Sequence, residues 1–251
     1  MKRVIYETSC SIELARQSKI YHAYFVMGQN LGGESNLVQT LSIDELKEYN
    51  THKYKKRMVE YSFGRYIAKK SVIHFLKNKN LNEITIGRGV FNQPVVYSSE
   101  DSKRLQVSIS HVNNIAVSIV FPEEHPMGID IEKISDDKLE ALSKQLSDNE
   151  KTLLYLTNLE KSEGFTLLWT VKEAISKVMK TGLTVPLSIF SVKSIEKVNG
   201  GYISEFDQFL QYKVFSWIID TYICSICMPR YSSFTININK VNLMPIDNCD
   251  K

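Results

Sequence analysis

The stretch Gly128-Ile129-Asp130-Ile131-Glu132 decides how the rest of the chain is read. Its residues alternate, so on a strand Ile129 and Ile131 point to one face and Asp130 and Glu132 to the other. Carboxylates two apart on a strand sit about 6.6 Å from one another and repel by roughly 2.5 kcal/mol at an effective dielectric near 20. Such a pair calls for a cation. With a third carboxylate from another element it suits a hard divalent ion such as magnesium, which keeps several waters and binds beside phosphate oxygens. Taken alone, Asp-x-Glu is an ordinary pair of surface charges; a second stretch argues otherwise.

From Trp169 to Lys180 the chain reads WTVKEAISKVMK. Trp169, Lys172, Glu173, Ser176, Lys177 and Lys180 recur at helical spacing along one face, and Leu168, Val171, Ala174, Ile175 and Val178 make the opposite face for burial. On a plain solvated helix Glu173 and Lys177 would be a simple i,i+4 pair. A Trp heading the charged stripe predicts a concave, functional face instead.

GIDIEK followed by WTVKEAISK resembles the paired signature of the 4′-phosphopantetheinyl transferases of the surfactin-synthetase-activating type. The offset of 41 positions from Glu132 to Glu173 fits that pattern, and the resemblance runs through SISH at 108–111 and GLTVPLSIFSV at 182–192, across roughly residues 20–240. It implies transfer of 4′-phosphopantetheine from coenzyme A to a serine of an acyl or peptidyl carrier protein, with release of 3′,5′-adenosine bisphosphate. Catalysis of such a displacement at phosphorus is mostly positioning and charge neutralisation. The resemblance assigns magnesium to Asp130, Glu132 and Glu173. It gives Lys172 and Lys177 to the phosphate oxygens, Glu173 and Lys177 to the chemistry, and Ser110 and His111 to the 3′-phosphate of coenzyme A. The basic run HKYKKR at 52–57 reads as solvated surface by charge alone; the resemblance lets it reach coenzyme A phosphates as well. A segment at 133–146 is expected to dock the carrier protein, although it carries Asp136, Asp137 and Glu140.

The chain departs from the family at one place. The family's Gly-Lys-Pro falls on Asn92-Gln93-Pro94, and Gln93 supplies no positive charge. Two other readings stay open: another magnesium-dependent transferase acting on a diphosphate, and a non-catalytic coenzyme-binding relative. Gln93 favours the last; the intact set of Asp130, Glu132, Glu173 and Lys177 opposes it.

Composition narrows the class. With 251 residues, 43% hydrophobic and 24% charged, the chain reads as an ordinary globular protein able to bury a sizeable core. Its net charge of +3 favours anionic partners without calling for nucleic acid. Glu7, Glu13 and Arg16 interrupt any signal-peptide core, and no run of 18 apolar residues occurs, so no membrane span is expected. The expectation is a cytoplasmic monomer with no nucleic-acid or membrane partner. Cys224 and Cys227 stand three apart in a predicted strand, Tyr222–Met228, and so face opposite sides; no metal or redox role is expected of them.

The remaining pattern predicts an α+β fold. Ser42 with Glu45 and Ser147 with Glu150 are capping boxes. Helices are predicted near 59–77 and 165–180, with strands near 20–27, 84–86, 105–110, 115–121, 191–195, 214–219 and 222–228. At an offset of 107, NIAVSIVFP (114–122) matches TYICSICMP (221–229), and RYIAKKSV (65–72) falls on KEAISKVM (172–179). This predicts two similar halves, 19–126 and 127–243, each a helix on a small antiparallel sheet, paired as a pseudo-dimer. Residues 1–18, which show no clear period, are expected to be an N-terminal extension, and 244–251 a tail. The metal is expected near the junction of the halves, where ligands commonly bind.

Overall fold

The computed structural model describes residues 5–32, 35–77, 80–98 and 105–235. The chain divides into two compact units, one of Met1–Ala15, Lys19–Glu124 and Phe234–Lys251, the other of Arg16–Ser18 and His125–Ser233.

The first unit is built on strands β1 (Ile5–Arg16), β2 (Lys19–Asn30), β3 (Ile84–Arg88), β4 (Pro94–Ser98), β5 (Leu105–Val112) and β6 (Ile115–Pro122), and on helices α1 (Ser35–Val38), α2 (Ile43–Tyr49) and α3 (Lys55–Leu76). With the short strand Ser233–Thr235 at one edge, the sheet order is Ser233–Thr235, β1, β2, β6, β5, β4, β3. Helix α3 covers the sheet because Phe63, Ile67, Ala68 and Val72 recur on one side and pack on Val26, Ile86, Val107 and Val120.

The second unit has strands β7 (Gly128–Lys133), β8 (Val192–Val198), β9 (Gly201–Phe206), β10 (Tyr212–Ile219) and β11 (Tyr222–Pro229), and helices α4 (Leu139–Ser143), α5 (Asp148–Leu154) and α6 (Lys161–Val178). Its order is β7, β11, β10, β9, β8. The predicted inner face of α6 is correct: Leu168, Val171, Ala174 and Ile175 are fully buried against Val214, Phe206, Ile223 and Cys227.

The two units repeat one design. Strands β5 and β10, and β6 and β11, begin 107 residues apart, as the sequence offset required. A buried glutamate at the third position of a capping-box helix recurs too. Glu45 accepts from Ser42 N at 2.7 Å and Ile86 N at 2.9 Å, and pairs with Lys69 Nζ at 2.6 Å. Glu150 accepts from Ser147 N at 2.8 Å and Val192 N at 2.9 Å, and pairs with Lys172 Nζ at 2.7 Å. The two lysines stand 103 apart, so by role the helices correspond one turn away from the 107 offset. A shift of four residues keeps the same helix face, which is why the sequence pattern could not tell the two alignments apart.

Other differences have simple causes. Residues 5–16 are not an extension: β1 is a full strand of the first sheet, with Thr8, Cys10, Ile12 and Leu14 inward. Its alternation was masked by the polar Thr8 and small Cys10. Strand β9 was unexpected because it turns Tyr202, Ser204 and Phe206 inward and leaves Ile203 half-buried on the other side. The second unit ends at Ser233 rather than 243, and the expected tail at 244–251 lies outside the described residues. Among the described residues no helix is long and apolar enough to cross a membrane.

Candidate active site

Strand β7 pairs antiparallel with β11, setting Gly128 opposite Cys227, Asp130 opposite Ser225 and Glu132 opposite Ile223. Residues directly opposite one another share a face of the sheet. Ile223 and Cys227 lie in the core beneath α6, and Ser225 Oγ is 2.7 Å from Thr170 Oγ1 of that helix. Gly128, Asp130 and Glu132 therefore face α6, while Ile129 and Ile131 are buried on the reverse face, as the alternation predicts.

Gly128 sets how closely the helix approaches. A Cβ there would lie 2.2 Å from the carbonyl oxygen of Ala174 and 3.0 Å from Val178, so only glycine lets α6 lie this close to the start of β7. At that spacing Lys177 reaches over the strand. Its Nζ donates to Ile129 O at 2.7 Å and to Asp130 Oδ1 at 2.9 Å.

Glu173 lies one turn earlier on α6. Its Oε1 is buried and accepts no hydrogen bond among the described residues. Its carboxyl is pushed up to about 7, first by burial and then by the negative charge of Asp130 and Glu132, against the opposing pull of Lys177 and of Ser176. The three carboxylates thus feel one another, and Lys177 is placed directly on Asp130. This is an excess of hard oxygen donors with an unused buried one, which suits a hard divalent cation. Among the described residues no group of three or more His, Cys, Asp or Glu is drawn close enough to hold an ion on its own.

The rest of the charged stripe on α6 behaves differently. Lys172 is fully buried, bound to Glu150 at 2.7 Å and 2.9 Å, with Gln145 O at 3.4 Å. It points into the protein and cannot meet a phosphate, which corrects the expectation for this residue. Ser176 is buried and donates to Glu173 O at 2.8 Å, and Trp169 packs partly buried against the core. The segment 133–146 is also less open than expected, since Leu142 and Leu146 are buried in the core and Ile134 and Leu139 pack against it.

Ser110 and His111 belong to the first unit, at the end of β5. Ser110 is buried, whereas His111 is exposed, with Nε2 3.6 Å from Glu60 Oε2 on α3. His111 lines a cavity of about 210 Å³ with Glu60, Tyr61, Arg65, Asn92 and Pro94. A neighbouring cavity of about 520 Å³ takes in Lys55 and Lys56 from the basic run, with Asn30, Glu60 and Asn114. Arg65 was missed by the sequence reading. Its guanidinium lies over the Tyr61 ring at 4.9 Å, and its Nε is buried without a hydrogen-bond partner among the described residues. Tyr61 and Arg65 at i,i+4 on α3 were the available signal. Gln93 folds back on its own turn, accepting from Phe91 N at 2.9 Å through Oε1 and from Gly89 N at 2.8 Å through its carbonyl.

Cys224 and Cys227 are both buried on opposite faces of β11, and burial pushes the Cys227 thiol well above its ordinary range.

Comparison with known proteins finds similarity over the same segment. Residues 126–227 match the family model of the 4′-phosphopantetheinyl transferase superfamily. A 4′-phosphopantetheinyl transferase of Bacillus subtilis is 25% identical over 209 residues, covering 78% of this chain and 90% of the relative. The 4′-phosphopantetheinyl transferase gsp of Aneurinibacillus migulanus is 28% identical over 129 residues, 51% of either chain. The 4′-phosphopantetheinyl transferase ffp of Bacillus subtilis is 29% identical over 125 residues, 49% of this chain and 54% of its own. The matched segment holds Asp130, Glu132, Glu173 and Lys177 together, and over that segment the chain is similar to the 4′-phosphopantetheinyl transferases.

Proposed function

We propose that the protein transfers 4′-phosphopantetheine from coenzyme A to a serine of an acyl or peptidyl carrier protein, with magnesium as the metal. The observation that carries the reading is the set of carboxylates between β7 and α6, with Glu173 Oε1 buried and unpaired among the described residues. The relatives' names support the transferred group.

In this reading Asp130, Glu132 and Glu173 would hold the ion, which supplies charge neutralisation and polarisation of the diphosphate when bound. The serine oxygen attacks the phosphorus next to the pantetheine arm. The bond to the bridging oxygen breaks, and 3′,5′-adenosine bisphosphate leaves. Lys177, fixed by Ile129 O and Asp130, offsets negative charge growing on the oxygens of that exchange. Glu173 stands as the base for the serine proton. Ser110 and His111 take the 3′-phosphate of coenzyme A, assisted by Arg65 in the same cavity as His111. Lys172 is left out of the chemistry, and its place is taken by Lys177. The Gln93 departure bears little on activity, because that side chain holds its own turn.

The test is intact-mass analysis of apo acyl and apo peptidyl carrier proteins incubated with the protein, coenzyme A and magnesium. A gain of one phosphopantetheine arm per carrier, abolished by chelator, is the expected result. No gain on either carrier, with coenzyme A still bound, would leave a binding protein and overturn the reading.

A further inference from the structure

Glu60 stands on α3 at the wall shared by the two cavities of the first unit. Its carboxylate, only 13% exposed, is the common partner of two cationic side chains and an imidazole: Arg57 Nη1 at 3.1 Å, Lys56 Nζ at 3.9 Å and His111 Nε2 at 3.6 Å. His111 in the smaller cavity and Lys56 in the larger thus already face one carboxylate. Arg65, the other cation of the smaller cavity, is held apart from this set, with its Nη2 3.8 Å from Glu48.

A phosphate arriving at His111 therefore has to exchange His111–Glu60 for His111–phosphate and place its own negative charge beside a carboxylate. Like charges set against one another select against a ligand as effectively as missing contacts do. A ligand without that phosphate makes no such exchange.

We propose that Glu60 is a specificity-determining residue for the donor, competing with the 3′-phosphate for His111 and so making the chain nearly indifferent between coenzyme A and 3′-dephospho-coenzyme A. The inference rests on the reading of His111 as the 3′-phosphate contact. Glu60→Gln keeps the side-chain shape and removes the charge, so it strengthens binding only where a phosphate is present.

The experiment is calorimetric titration of the full chain, in magnesium, with each of the two compounds. It compares wild type, Glu60→Gln, His111→Ala and the double variant. Wild type is expected to prefer coenzyme A by no more than about threefold, and Glu60→Gln to raise that preference about tenfold while changing 3′-dephospho-coenzyme A by less than about twofold. That second value doubles as the folding control. In the double variant the gain should vanish, because its route is His111. A preference unchanged by Glu60→Gln, or a gain that survives loss of His111, overturns the inference and leaves the transferase reading standing. Failure of both compounds to bind wild type overturns the coenzyme A reading and this inference with it.

Discussion

Lys172→Met separates a structural lysine from a phosphate-binding one. In the folded protein Lys172 and Glu150 are both essentially buried and lie 2.7 Å apart. Methionine fills the volume of the lysine stem and deletes its ammonium. Glu150 then keeps Ser147 N at 2.8 Å, Ser147 Oγ at 3.2 Å and Val192 N at 2.9 Å as donors, but no cation. Removing one member of a buried ion pair costs about 3–5 kcal/mol, because the remaining charge stays in a low dielectric. That is a large part of the roughly 5–15 kcal/mol by which a domain is ordinarily stable. Urea unfolding, followed by the fluorescence of buried Trp217 and half-buried Trp169, should show a loss of this size. The folded fraction should bind coenzyme A as wild type does. Adding Glu150→Gln should recover much of the stability, since no bare charge is then left behind and an amide oxygen remains to accept from the backbone. Stability within about 1 kcal/mol of wild type, with a selective loss of coenzyme A affinity, would put Lys172 on a phosphate and refute the buried-pair argument.

Gly128→Ala should destabilise by about 1–3 kcal/mol and lower transferase rate, because its Cβ would sit 2.2 Å from Ala174 O and push α6 off β7; melting curves and rates on one preparation check both. Lys69→Met should repeat the loss seen at Lys172 in urea titrations, since its partner Glu45 is equally buried at 2.6 Å. Without metal, stability should fall as pH rises from about 5 to 8. Glu173 binds its proton more tightly folded, near 7, than unfolded, near 4.5, so in that window the unfolded chain has already released the proton and gains relative to the native state. The shift bounds the effect at about 3 kcal/mol, reduced by solvent screening, and Glu173→Gln should flatten the profile measured by urea titration in chelator.

Much of this architecture was legible in the residues. The alternation of Gly128 to Glu132 gave the strand and its two faces, and the Asn113-Asn114 turn gave the β5–β6 hairpin. Both capping boxes formed as read, with Ser42–Glu45 and Ser147–Glu150 bonding reciprocally. The fate of Lys172 was not legible from its own helix, because spacing along α6 says which residues share a face and not what α5 brings against it. The signal lay in the repeat: Ser42, Glu45 and Lys69 recur as Ser147, Glu150 and Lys172, a serine, glutamate and lysine tied to one another in each unit. The Glu60–His111 contact was hidden for a similar reason, since it joins a helix residue to a strand end 51 positions away. A polar contact between two elements carries no hydrophobic period, so pattern reading passes over it.

The most direct test of the central claim is single-turnover formation of holo carrier protein by wild type, Glu173→Gln and Asp130→Asn in saturating magnesium and coenzyme A, with circular dichroism as the folding control. Both variants should fold like wild type and transfer at least about a hundredfold more slowly, the loss common when a preorganised charge in such a site is removed. Wild-type rates in either folded variant, or full transfer by wild type in chelator, would contradict the account and return Asp130 and Glu173 to the role of structural carboxylates.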